Sequence, residues 1–258
     1  MLYRHEAVAN HFSLAVNEDG TQFLMNPNQV HFSRIRASDL LLLDANDPDT
    51  LSLPGAPDPS AWGLHGSVHR RCPHHRCLMH VHSVFATVLA SLEDSNMPPI
   101  DQNTATFYNR YVIDEEFGGL AFENEGERCA SMLGDPKKKV MIMGNHGVLV
   151  MGDTVAETFN RLYYFERAAE TYIRALQTGA GRSSGAPTSS GSSASPLTHA
   201  GRSGVPMPAL SSPRTTSTPA TAPGRHLAVV SRRVVADHVR INCLPHSCAG
   251  LRGVFAAA

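Results

Sequence analysis

The stretch Leu78-Met79-His80-Val81-His82-Ser83 (LMHVHS) sets two histidines one residue apart in an apolar run. The run predicts a buried strand over Leu78–His82. Histidine suits such a strand poorly unless something binds it. In a strand, residues i and i+2 point to one face, with Cα atoms about 6.5–7 Å apart. Both imidazoles can then converge on one ion, with bonds of about 2.1 Å if the ion is zinc. The competing reading is a pair of surface or hydrogen-bonded core histidines.

A third histidine strengthens the metal reading. His146 sits in the turn Gly144-Asn145-His146-Gly147, between the apolar strands Lys139–Met143 and Val148–Met151. Gly147 permits close backbone approach there. Three histidines leave an open position for water or substrate, as in a catalytic rather than a structural zinc site. Cys72 and Cys77 flank Pro-His-His in CPHHRC. No second pair follows at finger spacing, so a zinc knuckle is the weaker reading.

Further elements surround these motifs. Asn10–Asn17 alternates, Asp19-Gly20 turns and Gln22–Met25 returns, which predicts a hairpin. Leu40–Leu43 reads as a strand or a short helix. Pro59 to about Arg71 reads as a helix with Ser or Asp as its cap. Ser83–Leu92, Asp101–Arg110 and Glu125–Leu133 read as helices. Asp153-Thr154 caps a long helix over Val155–Leu176, apolar at helical spacing. The pattern predicts an α/β domain over residues 1–178, with a central sheet between helix layers.

Residues 179–258 differ. They hold eight Arg, no Lys and one acidic residue, Asp237, so this tail is +7 and residues 1–178 are −8 in a chain of net charge −1. Ser, Pro, Gly, Thr and Ala dominate, which predicts a disordered tail or one translated out of frame. His226–Val235 could form an isolated strand. The acidic body argues against nucleic acid and anionic membrane surfaces as partners. No apolar run approaches a membrane span, and the start lacks the apolar core of a signal peptide. Five cysteines without framework spacing read as reduced thiols in a cytoplasmic protein.

Four motifs in order, Trp62-Gly63-Leu64-His65-Gly66, His80-Val81-His82-Ser83, Gly144-Asn145-His146-Gly147-Val148 and Glu166-Arg167-Ala168-Ala169-Glu170, resemble the class II aldolase/adducin family over roughly residues 5–178. The resemblance implies one three-layer domain with a largely antiparallel sheet, assembled as a homotetramer. It implies that His80, His82 and His146 bind zinc, or another divalent metal. In the sugar-phosphate aldolases that zinc stabilises an enediolate.

The chain departs from those aldolases. Where they carry a Glu before the Trp, it has Ala61, which can neither bind zinc nor move a proton. Of their Ser-Ser-Glu phosphate grip only Ser60 survives. Asn10-His11-Phe12-Ser13 keeps Ser13 but puts His11 where Asn is usual, so substrate contacts are expected from His11, Ser13 and Ser60. Asp101 could serve as acid/base or merely cap a helix. Tyr108 could reach a neighbouring subunit's site or merely pack. Glu115 and Glu116 read as a solvated turn, and His74 and His75 as solvated loop. His65 could replace the lost Glu near the metal or merely make a core hydrogen bond. The family's usual helix before Glu6–Ser13 is expected to be missing, which with the unusual tail suggests a truncated or mis-annotated reading frame.

Two functions follow. One is a metal-dependent, lyase-type enzyme acting on a small hydroxy-carbonyl compound, other than a standard sugar-phosphate aldolase. The other is a non-enzymatic, adducin-like, actin-associated binding module.

Overall fold

The computed structural model describes residues 9–52, 54–116 and 122–180. The expected loss of an N-terminal helix, and the tail beyond Ala180, lie outside the described residues. Seven strands form one sheet: β1 (His11–Ala15), β2 (Gln22–Met25), β3 (Leu41–Asp44), β4 (Cys77–Val81), β5 (Tyr111–Asp114), β6 (Val140–Met143) and β7 (Gly147–Gly152). Their order is β3-β2-β1-β4-β7-β6-β5. Every neighbouring pair is antiparallel except β5 and β6, which run parallel. The helices are α1 (Pro59–Arg71), α2 (Val84–Ala90), α3 (Gln102–Phe107), α4 (Phe122–Met132) and α5 (Val155–Gln177).

The two-residue period of the central strands sorts the core into layers. Cys77, Met79 and Val81 of β4, with Val140, Ile142, Val148 and Val150, face α2, α3 and α5. Leu78, Met141, Met143, Leu149 and Met151 face the other way, against α1 and α4. Both faces are apolar because both are covered. The rows therefore read as continuous runs rather than alternating ones. α1 and α4 touch closely enough that a Cβ at Gly126 would collide with the Gly63 carbonyl.

One alternative in the sequence reading is settled, and two local outcomes depart from it. Leu41–Asp44 resolves as a strand. Tyr111–Asp114 is also a strand, which the reading of a helix to Arg110 and a turn at Glu115 and Glu116 left unassigned. The helix there stops at Phe107, and Asn109 takes a left-handed φ of 58° to redirect the chain. His75, expected in solvated loop, is fully buried.

Candidate metal centre

Register builds the centre. β1 pairs with β4 so that His11 stands opposite His80 and Ser13 opposite Leu78. All four side chains therefore share the face that α1 covers, and His82 continues the same alternation past the strand end. β4 also pairs with β7, Val81 opposite Val148, which brings the β6–β7 turn beside His82. In that turn Asn145 has a φ of 54°, a conformation asparagine tolerates better than most residues. Gly147 must lack a side chain: a Cβ would sit 2.6 Å from the Val81 carbonyl oxygen and 2.8 Å from His82 Cδ2.

The ligand atoms of His80, His82 and His146 lie within 4.8 Å of one another, and no other group of three or more His, Cys, Asp or Glu among the described residues could hold an ion. Cys72 and Cys77 thus form no knuckle with His74 and His75. The donor set fits a divalent metal. His80 Nε2 faces His82 Nε2 at 2.9 Å, and the buried His80 Nδ1 has no hydrogen-bond partner. Burial, and then the neighbouring histidines, hold the His80 pKa well below the usual imidazole range. Burial lowers that of His146 to about 4. Both rings are therefore uncharged at neutral pH and offer lone pairs. A tetrahedral ion with bonds of about 2.1 Å spaces its ligands by about 3.4 Å, so the widest gap closes by about 1.4 Å through side-chain rotation.

Behind the triad runs a buried chain of polar groups. His65 and His69 lie four residues apart on the covered face of α1, one turn from each other. Ser13 Oγ is 2.7 Å from His69 Nε2 and 2.6 Å from His65 Nδ1. His65 Nε2 is 2.8 Å from His11 Nδ1. The tautomers follow from the one loose end: His69 Nδ1 is buried without a partner. A buried N–H left unpaired is rarer and costlier than an unused lone pair. We therefore assign the proton to His69 Nε2, which donates to Ser13. The Ser13 hydroxyl then donates to His65 Nδ1, and His65 Nε2–H donates to His11 Nδ1. The proton of His11 is left on Nε2.

The other candidate residues have local occupations. Asp58 caps α1, accepting from the Ser60 and Ala61 amides, and the Ser60 hydroxyl donates to the same carboxylate. Asp101 caps α3 by accepting from the Thr104 amide at 2.8 Å. Tyr108, at the other end of α3, is 42% exposed. Ala61 is buried with Phe23, Met25 and Leu43 in an apolar cluster. The role of His69 was not anticipated; its signal was the i, i+4 pairing with His65 on a helix face that is otherwise apolar.

Residues 4–173 match the family described as Class II Aldolase and Adducin N-terminal domain. The chain belongs to that family. Its domain is similar to a solved aldolase II superfamily protein from Pseudomonas syringae, with 26% identity, a TM-score of 0.60 and coverage of 68% of this chain and 70% of that one. Decarboxylase NovR of Streptomyces niveus is 25% identical over 59% of this chain and 61% of its own length. Human beta-adducin is 29% identical over 66% of this chain and 23% of its own length. The chain thus spans less than two thirds of either curated relative. Within this class II aldolase/adducin domain, the described residues hold no helix long and apolar enough to cross a membrane.

Proposed function

We propose that the protein is a divalent-metal-dependent, lyase-type enzyme acting on a small hydroxy-carbonyl compound, with His80, His82 and His146 as the ligands and zinc as the ion. The convergence of three imidazoles on one face of the sheet carries the reading. When bound, the ion supplies Lewis acidity to substrate oxygens where negative charge develops. The chain's own groups do the rest. Burial keeps His80 and His146 uncharged. Ser13, His65 and His69 lock the His11 ring beside His80, with its Nε2–H available to an oxygen of the substrate.

Standard sugar-phosphate cleavage is not the proposed reaction. Ala61 occupies the position of the aldolase Glu, and its surroundings are apolar. Ser60 is committed to the α1 cap. The Asp101 carboxylate is held by its own cap, which leaves exposed Tyr108 as the better proton carrier, serving a neighbouring copy in a homotetramer. The similarity to a decarboxylase supports chemistry on an unphosphorylated hydroxy-carbonyl acid.

The test is metal analysis of purified protein, followed by assay of the zinc-loaded form against hydroxy acids and sugar phosphates. About one ion per chain, lost on His146→Ala, supports the proposal. Absence of stoichiometric metal would instead favour the adducin-like, actin-associated module, which the beta-adducin similarity and Ala61 also suit. Actin co-sedimentation then tests that second reading.

A further inference from the structure

We propose that the short helix α2 sets the two histidine-bearing loops against each other, and that Glu166 is the positioning residue that holds α2 in place. The part concerning metal affinity rests on the metal reading above. α2 begins directly after His82-Ser83 and ends at Ala90. Its far end touches the other loop: the Asn145 amide, one residue before His146, donates to the Ala90 carbonyl at 2.8 Å. One seven-residue helix therefore connects the segment carrying His82 to the turn carrying His146.

The near end is fixed from outside. Ser83 stands at the N-cap of α2, yet its side chain makes no capping bond. Its hydroxyl instead donates to Glu166 Oε2 at 2.6 Å. The same carboxylate accepts from the Phe85 amide at 2.9 Å and the Ala86 amide at 3.0 Å. Glu166 thus supplies, from the middle of α5, the cap that the local sequence does not. A carboxylate is suited to this, because the first amides of a helix are unpaired donors at its positive end. Three charge-assisted bonds converge on one side chain. α5 itself packs against the sheet through Phe165, Ala168 and Ala169 on both sides of Glu166. The anchorage therefore runs from the core through Glu166 and α2 to both loops.

Without the carboxylate, α2 loses its cap and its fixed start, and the Ala90–Asn145 contact loosens with it. Groups that orient metal ligands from behind typically change affinity by about 10–100-fold when removed. Two measurements test this on the full chain. Amide hydrogen exchange of the metal-free protein should show Asn145 exchanging at least about tenfold faster in Glu166→Gln, with the β1–β2 hairpin unchanged. Zinc titration against a competing chelator should show Kd raised by about 10–100-fold in the same variant. Glu166→Gln keeps the size of the side chain, so it serves if Glu166→Ala fails to fold. Ser83→Ala, which removes one of the three donors, should move both readouts less and in the same direction.

Unchanged Asn145 exchange in folded Glu166→Gln overturns the proposal. So does an unchanged zinc Kd where the unmodified protein binds zinc, since a merely structural residue would lower the melting temperature alone. If the unmodified protein binds no zinc while Asn145 exchange still responds, the metal reading fails and the coupling of the loops through α2 stands.

Discussion

His11 lies flat on His80: the two rings are 4.5 Å apart at their centroids and tilted by 16°. Strand register causes this, because His11 and His80 are directly opposed in the β1–β4 ladder. His11 is in turn held by His65, so the strand carrying His80 is braced by a hydrogen-bonded ring rather than by an aliphatic side chain.

The hinge of that brace is Ser13. Its hydroxyl serves His65 and His69 at once, within a face that water does not reach. Ser13→Ala would leave two buried imidazole nitrogens without partners. Each buried polar group stranded in this way costs about 1–3 kcal/mol. The variant is expected to unfold at clearly lower urea concentration with an unchanged denaturant slope. A midpoint equal to that of the unmodified protein would show that the three groups do not form one network.

Gly147 is constrained by packing and, through His82, bears on the proposed metal binding. An added methyl group meets the Val81 carbonyl, which cannot swing away, and the ring of His82, which can. Forced overpacking typically costs about 1–3 kcal/mol. Gly147→Ala should therefore lower the melting temperature and also weaken zinc binding, because the flexible partner that yields is the ligand. Weakened stability with unaltered zinc affinity would place His82 outside the ligand set.

Much of this centre could be read from the chain. His80 and His82 were marked by their spacing, and His146 by its flanking glycine. α1 and α5 followed from apolar periodicity and caps. What remained hidden was long-range. That Ser13 would be enclosed by His65 and His69 depends on strand pairing, which places β1 under α1 and has no local signature. β5 escaped because Tyr111–Asp114 is mostly half-buried rather than a buried apolar run, and its strand character comes from parallel pairing with β6. His75 looked like loop because its neighbours Pro73 and His74 are polar or turn-forming. It is buried by the fold around it.

Ala61 shows the same limit from another side. The sequence comparison suggests restoring the aldolase carboxylate with Ala61→Glu. The structure puts that position among Phe23, Met25, Leu43 and Ala45, with Ala61 itself 1% exposed. A carboxylate buried there lacks partners and either distorts α1 or stays protonated. Ala61→Glu is expected to destabilise the protein by several kcal/mol and to confer no sugar-phosphate cleavage. A well-folded Ala61→Glu protein with new aldolase activity would show that α1 can turn this position toward the triad.

Two buried histidines away from the triad, His69 and His75, contribute to the acid limb of stability. His69 stacks on Phe23 with centroids 4.4 Å apart. Burial, and then the charge of Arg76, lower its pKa from 6.5 to about 3. His75 is likewise lowered to about 3, by burial first and then by His74, Lys139 and Arg161. The unfolded chain binds protons at these sites near pH 6.5, and the folded chain does not until about pH 3. Their contribution is therefore complete above pH 6.5 and is lost as pH falls through that window. Each group adds a slope of up to about 1.4 kcal/mol per pH unit. Neither nitrogen of His75 has a hydrogen-bond partner, the nearby Leu133 carbonyl being taken by His74 Nε2 at 3.2 Å. An apolar replacement of similar size thus strands nothing and removes two unsatisfied groups. His75→Leu should match or exceed the unmodified protein in urea midpoint at pH 7.5. Between pH 6 and pH 4 it should lose stability less steeply, by about one proton's worth. Parallel pH profiles for the two proteins would mean that His75 takes up its proton in the folded state near the ordinary imidazole pKa.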